Sequence, residues 1–246
     1  MSTPQIVNRE QWLAARDELL IREKEHTHLA DELARARREL PWLAVDKSYT
    51  LQTTDGPKTL DELFDGRSQL VIYHFMFGPD YEHGCPVCSS IADSFNGVLE
   101  QLKARDTTMI AVSQAPVDKL EAEKERLGWS FTWASSYESD FNADFEHSLP
   151  REQASKWVPG APSIVTQNAA DCGTDPAGYM MQRPGLSVFA LRDGEVYLTY
   201  ASTNRGLEVI MTYYGILDRT PKGRDEGEPA YPAWLRRHDE LATAGA

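Results

Sequence analysis

The sequence predicts an α/β protein in which a mixed sheet is flanked by helices and preceded by a long N-terminal helix. Three observations support this fold class. Residues 9–40 contain no Gly or Pro and are rich in helix-forming residues. Apolar runs of strand length alternate with helical segments between residues 69 and 135, which is typical of parallel strands joined by helices. A β-hairpin with a turn at Asp193-Gly194 then follows in LSVFALRDGEVYLTY.

The N-terminal segment repeats apolar residues every seven positions, beginning with Trp12 and Leu19. This repeat indicates either a coiled-coil arm or a surface helix that packs on its own domain or on a second copy. Arg22 and His26 interrupt the apolar stripe, which favours a surface helix about 45 Å long. Pro41 ends it. Because the helix has more apolar surface than a solvated helix needs, we predict a homodimer.

Three elements are expected before the first cysteine. The segment VDKSYTLQTTDG alternates apolar and polar residues, as a hairpin strand does, and the Asp55-Gly56 turn closes it. TLDELFDG is expected to form a short helix that ends at Gly66. QLVIYHFMF is a continuous apolar run, which predicts a strand that is buried on both faces.

A helix is predicted to begin at the first cysteine, in CPVCSSIADSFNGVLEQLKAR, with a kink or break at Asn96-Gly97. The strands TTMIAVSQ and FTWASS then enclose the helix APVDKLEAEKERLG. Together these segments predict a strand, a cysteine-bearing helix, a strand, a helix and a strand in sequence order.

The remaining segments carry weaker patterns. Residues 137–183 hold four Pro and three Gly and are expected to be irregular. Within them, SSYESDFNADF predicts a capping turn, with a substrate-binding edge as the alternative. TPKGRDEGEPAYP resembles a linker before the short helix AWLRRHDEL. We therefore predict three regions, listed in chain order: a helical arm at residues 1–45, the α/β domain at residues 46–215 and a C-terminal extension at residues 216–246.

The bulk composition is that of a soluble globular protein, with 41% hydrophobic and 26% charged residues. The formal charge of −13 argues against binding to nucleic acid or to anionic lipid surfaces. No apolar run approaches the ~18 residues that cross a bilayer, and the N-terminus lacks the pattern of a secretory signal. We expect a cytoplasmic protein that associates with neither membranes nor nucleic acid.

Two of the three cysteines, Cys85 and Cys88, are separated by two residues at the predicted junction of strand and helix. Cys85 falls at the residue before the helix, and Pro86 takes the first helical position, where its missing N–H costs nothing. The unpaired amide groups and the helix dipole at this end stabilise a thiolate. Cys88, one turn further on, is then within reach of a mixed disulfide on Cys85.

Other uses of the cysteines stay open on the residues alone. Zinc requires four nitrogen or sulfur ligands, which Cys85, Cys88 and Cys172 could supply together with His83 or His147. Copper(I) also suits soft thiolates. A thiolate of low pKa also attacks peroxides, which makes a thiol peroxidase a third alternative. For Cys172 alone, an inert thiol on a loop is favoured over a resolving or metal-binding role.

Parts of this pattern resemble thioredoxin-like folds, which carry a proline just before the strand that faces the cysteines. Here Pro184 precedes the apolar strand that ends in Phe189, and the Asp193-Gly194 turn follows. His74 occupies the place of the buried acid in the strand of thioredoxin. A histidine there is either a satisfied core residue or a group that exchanges protons with the second cysteine.

Nearly the full length resembles a bacterial family of unknown function that is described as predicted dithiol-disulfide oxidoreductases of thioredoxin-like fold. The resemblance rests on RSQLVIYHFMFGPDYEHGCPVC, APVDKLEAEKERLGWSFTWASSYESDFNADF and LDRTPKGRDE. Three features depart from ordinary thioredoxin: Pro-Val between the cysteines, Gly84 in place of an aromatic residue, and the long segment 137–183. The substrates of thioredoxin itself are therefore not expected.

The resemblance and the residues together predict a redox mechanism without a bound cofactor or metal. Cys85 is expected to attack a disulfide of a protein or a small molecule, and Cys88 to release the product by closing an internal disulfide. His74 is expected to take or return the proton of Cys88. Pro184 and Pro86 are expected to contact the substrate, Pro184 by presenting its backbone. An unidentified thiol electron donor would restore the reduced pair.

Overall fold

The computed structural model describes residues 4–225 and 234–244. The chain divides into two compact units, one that ends at Pro41 and one that begins at Trp42. None of the helices in the described ranges is long and apolar enough to cross a lipid bilayer.

The first unit consists mainly of the helix α1 (Arg9–Arg38), which confirms the long helix predicted for this segment. Asn8 caps α1, because its side-chain oxygen accepts a hydrogen bond from the N–H of Gln11 at 2.9 Å. In return, the side chain of Gln11 accepts from the N–H of Asn8 at 3.2 Å, which completes a capping box. Apolar side chains such as Trp12 and Leu19 are exposed along α1. The homodimer stays a prediction.

The second unit is built on one mixed sheet, which holds eight strands in the described residues. These strands are β1 (Leu43–Ala44), β2 (Thr50–Thr53), β3 (Gly56–Thr59), β4 (Gln69–His74), β5 (Thr107–Ser113), β6 (Thr132–Ser135), β7 (Gly185–Arg192) and β8 (Glu195–Thr203). Their order across the sheet is β1-β8-β7-β4-β5-β6-β2-β3. The strands and hairpins predicted from the sequence are all present.

The centre of the sheet has the arrangement of a thioredoxin-like fold. β4 pairs with β5 in parallel, and β5 pairs with β6 in parallel. On its other side β4 pairs with β7 in the antiparallel direction, and β7 forms the hairpin with β8. The cysteine-bearing helix connects β4 to β5, so the cysteines lie at the carboxyl end of a central strand.

The helices of the second unit are mostly short. They are α2 (Pro86–Ala92), α3 (Leu99–Lys103), α4 (Val117–Arg126), α5 (Phe141–Asp144), α6 (Arg151–Trp157), α7 (Ser163–Asp171), α8 (Pro176–Met180), α9 (Thr212–Leu217) and α10 (His238–Ala244). The break predicted at Asn96-Gly97 separates α2 from α3. The helix predicted in TLDELFDG is a single 3₁₀ turn, Glu62–Phe64.

The prediction that residues 137–183 are irregular is wrong, because α5, α6, α7 and α8 lie within them. Their prolines begin helices rather than interrupt them. Pro150 and Pro162 directly precede α6 and α7, and Pro176 is the first residue of α8. Gly173, with a positive φ of 70°, follows α7. These prolines and Gly173 therefore mark the ends of short helices.

The C-terminal extension does not form a tail on its own. Leu235 and Arg237 are only 1% and 3% exposed and pack into the second unit. The helix predicted in AWLRRHDEL begins only with α10, so among its described residues Trp234 to Arg237 are not helical. Part of the linker predicted at residues 220–232 lies outside the described residues.

Each face of the sheet carries its own apolar core. One core includes Tyr73 and Phe75 together with all three cysteines. The other includes Ile72 and Phe141, together with Leu51 of β2 and Phe64 of the 3₁₀ turn. Because neighbouring residues of a strand point to opposite faces, each residue of β4 belongs to one side only.

Candidate functional site

The turn that carries Cys85 follows β4 and leads into α2. Cys85 directly precedes α2 and Pro86 is its first residue, as the sequence predicts. The N–H of Cys85 donates to the carbonyl oxygen of Met76 at 3.0 Å and ties the turn to the end of the central strand. The backbone N–H groups of Cys88 and Val87, in the first turn of α2, lower the pKa of the Cys85 thiol.

The residue before Cys85, Gly84, is held by a buried pair of charged side chains. Its N–H donates to Oε1 of Glu123 at 3.1 Å, and its carbonyl oxygen accepts from Nε and Nη2 of Arg237 at 3.1 and 2.7 Å. Nη2 of Arg237 also donates to the carbonyl oxygen of Asp171 at 2.8 Å. A Cβ atom at Gly84 would lie 2.7 Å from the ring of Phe75. The aromatic residue found in thioredoxins therefore does not fit.

The Cys85 thiol is buried, with 1% of the residue exposed, and it contacts the hydroxyl group of a tyrosine in α8. Its Sγ lies 3.2 Å from Oη of Tyr179. Nδ2 of Asn168 donates to the same Oη at 3.1 Å. The tyrosine hydroxyl thus accepts from Asn168 and has its own proton left for the Cys85 sulfur.

The pKa of Cys85 is lowered to about 7, although burial alone would raise it. The hydrogen bonds outweigh burial: they come from the Cys88 thiol, from the Tyr179 hydroxyl and from the backbone N–H groups of Cys88 and Val87. Burial and the nearby Cys85 charge raise the pKa of Tyr179, so its hydroxyl keeps its proton and acts as the donor. A substantial fraction of Cys85 is therefore thiolate at neutral pH.

Cys88 has the opposite electrostatic environment. Its pKa is raised, first by burial and then by its hydrogen bond to Cys85 and by the charge of Cys85. The Tyr73 hydroxyl counteracts this rise, and so does the backbone N–H of Met76, which lies 3.5 Å from Sγ. The two thiols of the pair thus differ: Cys85 ionises first and Cys88 keeps its proton.

A cavity of about 260 Å³ opens beside the two thiols. Cys85, Cys88 and Pro184 all line it, so the structure brings these three predicted site residues together. Pro86 is buried at the start of α2 and is not among the lining residues. The residue after Pro184 is Gly185. A Cβ atom at this position would come within 1.9 Å of the His147 ring, so only glycine fits there.

The structure does not bring His74 to the cysteines. Its Nε2 lies 3.0 Å from Oγ of Ser187, and its ring stacks on that of His147 with 3.6 Å between the centroids. The His74 ring also stacks on Phe141, which belongs to the core on the opposite face of the sheet from the thiols. Tyr73, one residue earlier in β4, faces Cys88 instead. A proton exchange between His74 and Cys88 is therefore incompatible with this geometry.

The stacked histidines make stability depend on pH. Burial lowers the pKa of His147 to about 4, and burial together with the His147 charge lowers that of His74 well below its usual value. Since the unfolded chain binds these protons at about pH 6.5, the free energy of unfolding should fall as pH drops from 7 towards 4. The contribution of His147 over this range is about 3 kcal/mol.

Urea unfolding at several pH values, compared with His147→Gln, measures this contribution. The variant should lose the part of the pH dependence that His147 supplies, while His28→Gln on the exposed surface of α1 should keep the wild-type slope. Equal slopes for wild type and His147→Gln between pH 7 and 4 would contradict the account.

The prediction that Cys172 lies on a loop is wrong. Cys172 directly follows the last residue of α7 and is fully buried. Its carbonyl oxygen accepts from the N–H of Glu82 at 2.8 Å, which fixes the loop that precedes Cys85. Burial raises the pKa of its thiol, and the charge of Cys85 adds to the rise. Cys172 therefore remains a protonated thiol in the same core.

The alternative metal ligands do not assemble around the thiols. His147 lies in the stacked pair on the other face, and His83 is half-exposed, with Nδ1 3.5 Å from Oε2 of Glu123. Over residues 4–225 and 234–244, no three His, Cys, Asp or Glu side chains are grouped so that they could hold a metal ion.

Four residues of the site were not identified from the sequence. Tyr179 and Asn168 come from the segment that was expected to be irregular, and Arg237 comes from the C-terminal extension. Glu123 lies in the predicted helix α4, where a glutamate has no distinctive signal. The sequence does place Glu123 one turn before Arg126, and this spacing predicts the ion pair that the two side chains form at 2.8 Å.

Several solved structures are similar to this chain at low identity. Peroxiredoxin Q of Xanthomonas campestris, in a cysteine-to-serine mutant form, is 15% identical over 70% of this chain and 98% of its own, with a TM-score of 0.46. Peroxidoxin BcpB from Mycobacterium tuberculosis is 13% identical over 71% of this chain and 97% of its own, with a TM-score of 0.45. PrxQ of Xylella fastidiosa, also a cysteine-to-serine mutant, is 14% identical over 68% of this chain and 88% of its own, with a TM-score of 0.42.

No curated protein matches the sequence. The model of one protein family, described as a bacterial protein of unknown function (DUF899), matches residues 1–241. The match spans both units and includes the cysteine pair, Tyr179 and Arg237. The resemblance seen in the sequence is thereby confirmed, and the chain belongs to this bacterial DUF899 family.

Proposed function

We propose that this protein is a thiol-disulfide oxidoreductase in which Cys85 is the nucleophile and Cys88 the resolving thiol. The observation that carries the proposal is the position of the Cys85 sulfur. It lies at the start of α2, 3.2 Å from the Tyr179 hydroxyl, and the Cys88 thiol and the backbone N–H groups of Cys88 and Val87 also lower its pKa. All four groups stabilise a thiolate on Cys85.

In the first step, the Cys85 thiolate attacks one sulfur of a substrate disulfide. A bond forms between Cys85 and that sulfur, the substrate S–S bond breaks, and the second sulfur leaves as a thiolate. In the second step, the Cys88 thiol gives up its proton and attacks Sγ of Cys85. The internal disulfide forms, the bound thiolate is released, and the two leaving thiolates take up the protons that the two cysteines lost.

Tyr73 replaces His74 in this mechanism. Its hydroxyl faces the Cys88 sulfur and favours the charged form of that thiol, so it would stabilise Cys88 as the proton leaves. Pro184 lines the cavity beside both thiols and would contact the bound substrate. A thiol electron donor must then reduce the Cys85–Cys88 disulfide to complete the cycle.

The burial of Cys85 favours a thiol peroxidase as the second candidate. A hydroperoxide is small enough to reach a thiol that is 1% exposed. The Cys85 thiolate would take one oxygen to become a sulfenic acid while the peroxide leaves as an alcohol or water. Cys88 would then attack this sulfur, expel water and leave the same internal disulfide.

Oxidation of the reduced protein under anaerobic conditions tests the proposal. On mixing with a small disulfide, Cys85 and Cys88 should lose their thiols together, and peptide mapping should find them joined while Cys172 stays free. Oxidation by a hydroperoxide but not by any disulfide would favour the peroxidase. Consumption of Cys172 in place of Cys88 would contradict both candidates.

A further inference from the structure

The cavity beside Cys85 limits the size of the substrate. It measures about 260 Å³, and both cysteines form part of its wall. An apolar cavity of ~150 Å³ holds a benzene molecule, so by proportion this one accepts roughly ten non-hydrogen atoms. A disulfide displayed on a folded protein would have to bring its sulfur to a thiol that is 1% exposed. The cavity is thus better matched to a small molecule than to a protein.

The lining of the cavity is mainly apolar. Residues from α2, α7 and the segment before α9 contribute half of the lining residues, and they include Val87, Ile91, Ile164, Val165, Leu207 and Met211. Met76 and Met180 add flexible side chains, which adapt to ligands of differing shape. Such walls stabilise alkyl groups and leave a strongly hydrated group without compensation.

The charged side chains of the lining already have partners. Glu208 binds Arg205 at 2.7 Å and Arg224 at 3.0 Å. The Arg183 guanidinium lies over the Trp157 ring, 4.9 Å from its centroid. Apart from the Cys85 thiolate, these two are the charged side chains among the described lining residues. A substrate with several carboxylates, such as glutathione disulfide, would therefore find few groups to bind them.

We infer that the substrate is a small, uncharged organic disulfide whose alkyl group occupies this cavity, an inference that rests on the proposed thiol-disulfide exchange. The Cys85 thiolate attacks the sulfur attached to the alkyl group inside the cavity, and the other half leaves as a thiolate. Cys88 then displaces the bound alkyl thiolate, so one disulfide gives two thiols and the protein is oxidised by two electrons. The apolar walls specify the substrate by the alkyl group rather than by charge.

Single-turnover oxidation of the reduced protein by four disulfides tests the inference. The probes are dipropyl disulfide, 2-hydroxyethyl disulfide, glutathione disulfide and the disulfide of a folded protein. Dipropyl disulfide should react at least ~10-fold faster than each of the others, after each rate is divided by the rate of the same probe with free dithiothreitol. Equal or faster normalised reaction of glutathione disulfide or of the protein would overturn the inference.

A matched pair of variants locates the preference in the cavity. Val165→Phe fills part of it and should slow dipropyl disulfide about 10-fold, whereas Val209→Phe, at a site that is 83% exposed, should not. Alkylation of Cys85 by iodoacetamide should proceed in both variants, since the thiolate is unchanged. An unaltered rate in Val165→Phe overturns the inference and leaves the proposed function standing. Failure of every disulfide to oxidise a protein whose Cys85 is still alkylated overturns the proposed function itself.

Discussion

Replacing Cys88 with serine is expected to trap a mixed disulfide on Cys85, whereas Cys85→Ser should trap none and lose turnover by ~10³-fold or more. The difference follows from the two environments. Cys85 is stabilised as a thiolate by the Tyr179 hydroxyl and the start of α2, while Cys88 is held protonated by burial and by Cys85. Without Cys88, nothing in the pair displaces the bound half of the substrate.

Mass spectrometry of each variant after mixing with a small disulfide measures this difference. The Cys88→Ser protein should gain the mass of one substrate half, located on Cys85. Cys172→Ala is the matched control: it should still close the Cys85–Cys88 disulfide, because Cys172 takes no part in the exchange. An adduct on Cys88 in the Cys85→Ser protein would reverse the assigned roles.

Removing the guanidinium of Arg237 is expected to cost about 3–5 kcal/mol of stability. The Arg237 head is buried and bridges the carbonyl oxygen of Gly84 to that of Asp171, with Glu123 3.8 Å away. In Arg237→Met the methylene chain remains but these buried oxygens lose their donor. Arg126 still forms an ion pair with Glu123 in this variant, so the Glu123 carboxylate loses only part of its electrostatic stabilisation.

Urea unfolding monitored by tryptophan fluorescence gives the size of this loss. Arg219→Met, at an exposed arginine of the same chain, should change stability by less than ~0.5 kcal/mol. The double variant Glu123→Gln, Arg237→Met should be less destabilised than the sum of its single variants, since the two side chains act on one glycine. A urea midpoint for Arg237→Met equal to that of wild type would contradict the claim that Arg237 stabilises the fold by binding the carbonyl oxygens of Gly84 and Asp171.

The features of the site that depend on local sequence could be predicted. Cys85 before α2, Pro86 as its first residue and Cys88 one turn later follow from helix-start chemistry and from spacing. The succession of strands and helices also followed, because apolar runs alternate with helical segments and the hairpin has its own turn signal. Pro184 was placed by resemblance to thioredoxin-like folds, and it does line the cavity.

The features that depend on distant contacts could not be predicted. Tyr179 is 94 residues from Cys85 in sequence, and Arg237 is 153 residues from Gly84. No local pattern marks either of them. His74 was placed near the cysteines by aligning a strand whose following loop is longer than in thioredoxin. A shift of one residue moves a side chain to the other face of a sheet, and Tyr73 holds that place.

The role of the prolines in residues 137–183 also could not be predicted from the local sequence. A proline within a helix breaks it, but a proline before the first turn starts one, and the residue alone does not tell which applies. In this segment Pro150, Pro162 and Pro176 stand at helix starts. The short helices they begin carry Tyr179 and Asn168 to the thiol, so one misassigned segment concealed two residues of the site.

The most direct test of the central claim is the rate of alkylation of each cysteine by iodoacetamide as a function of pH, followed by mass spectrometry. Cys85 should react with a midpoint near pH 7, while Cys88 and Cys172 should stay unreactive over the same range. Tyr179→Phe should raise the Cys85 midpoint, because it removes one hydrogen bond to the thiolate. A Cys85 midpoint at or above the ~8.5 of a free thiol, or faster alkylation of Cys88, would contradict the account.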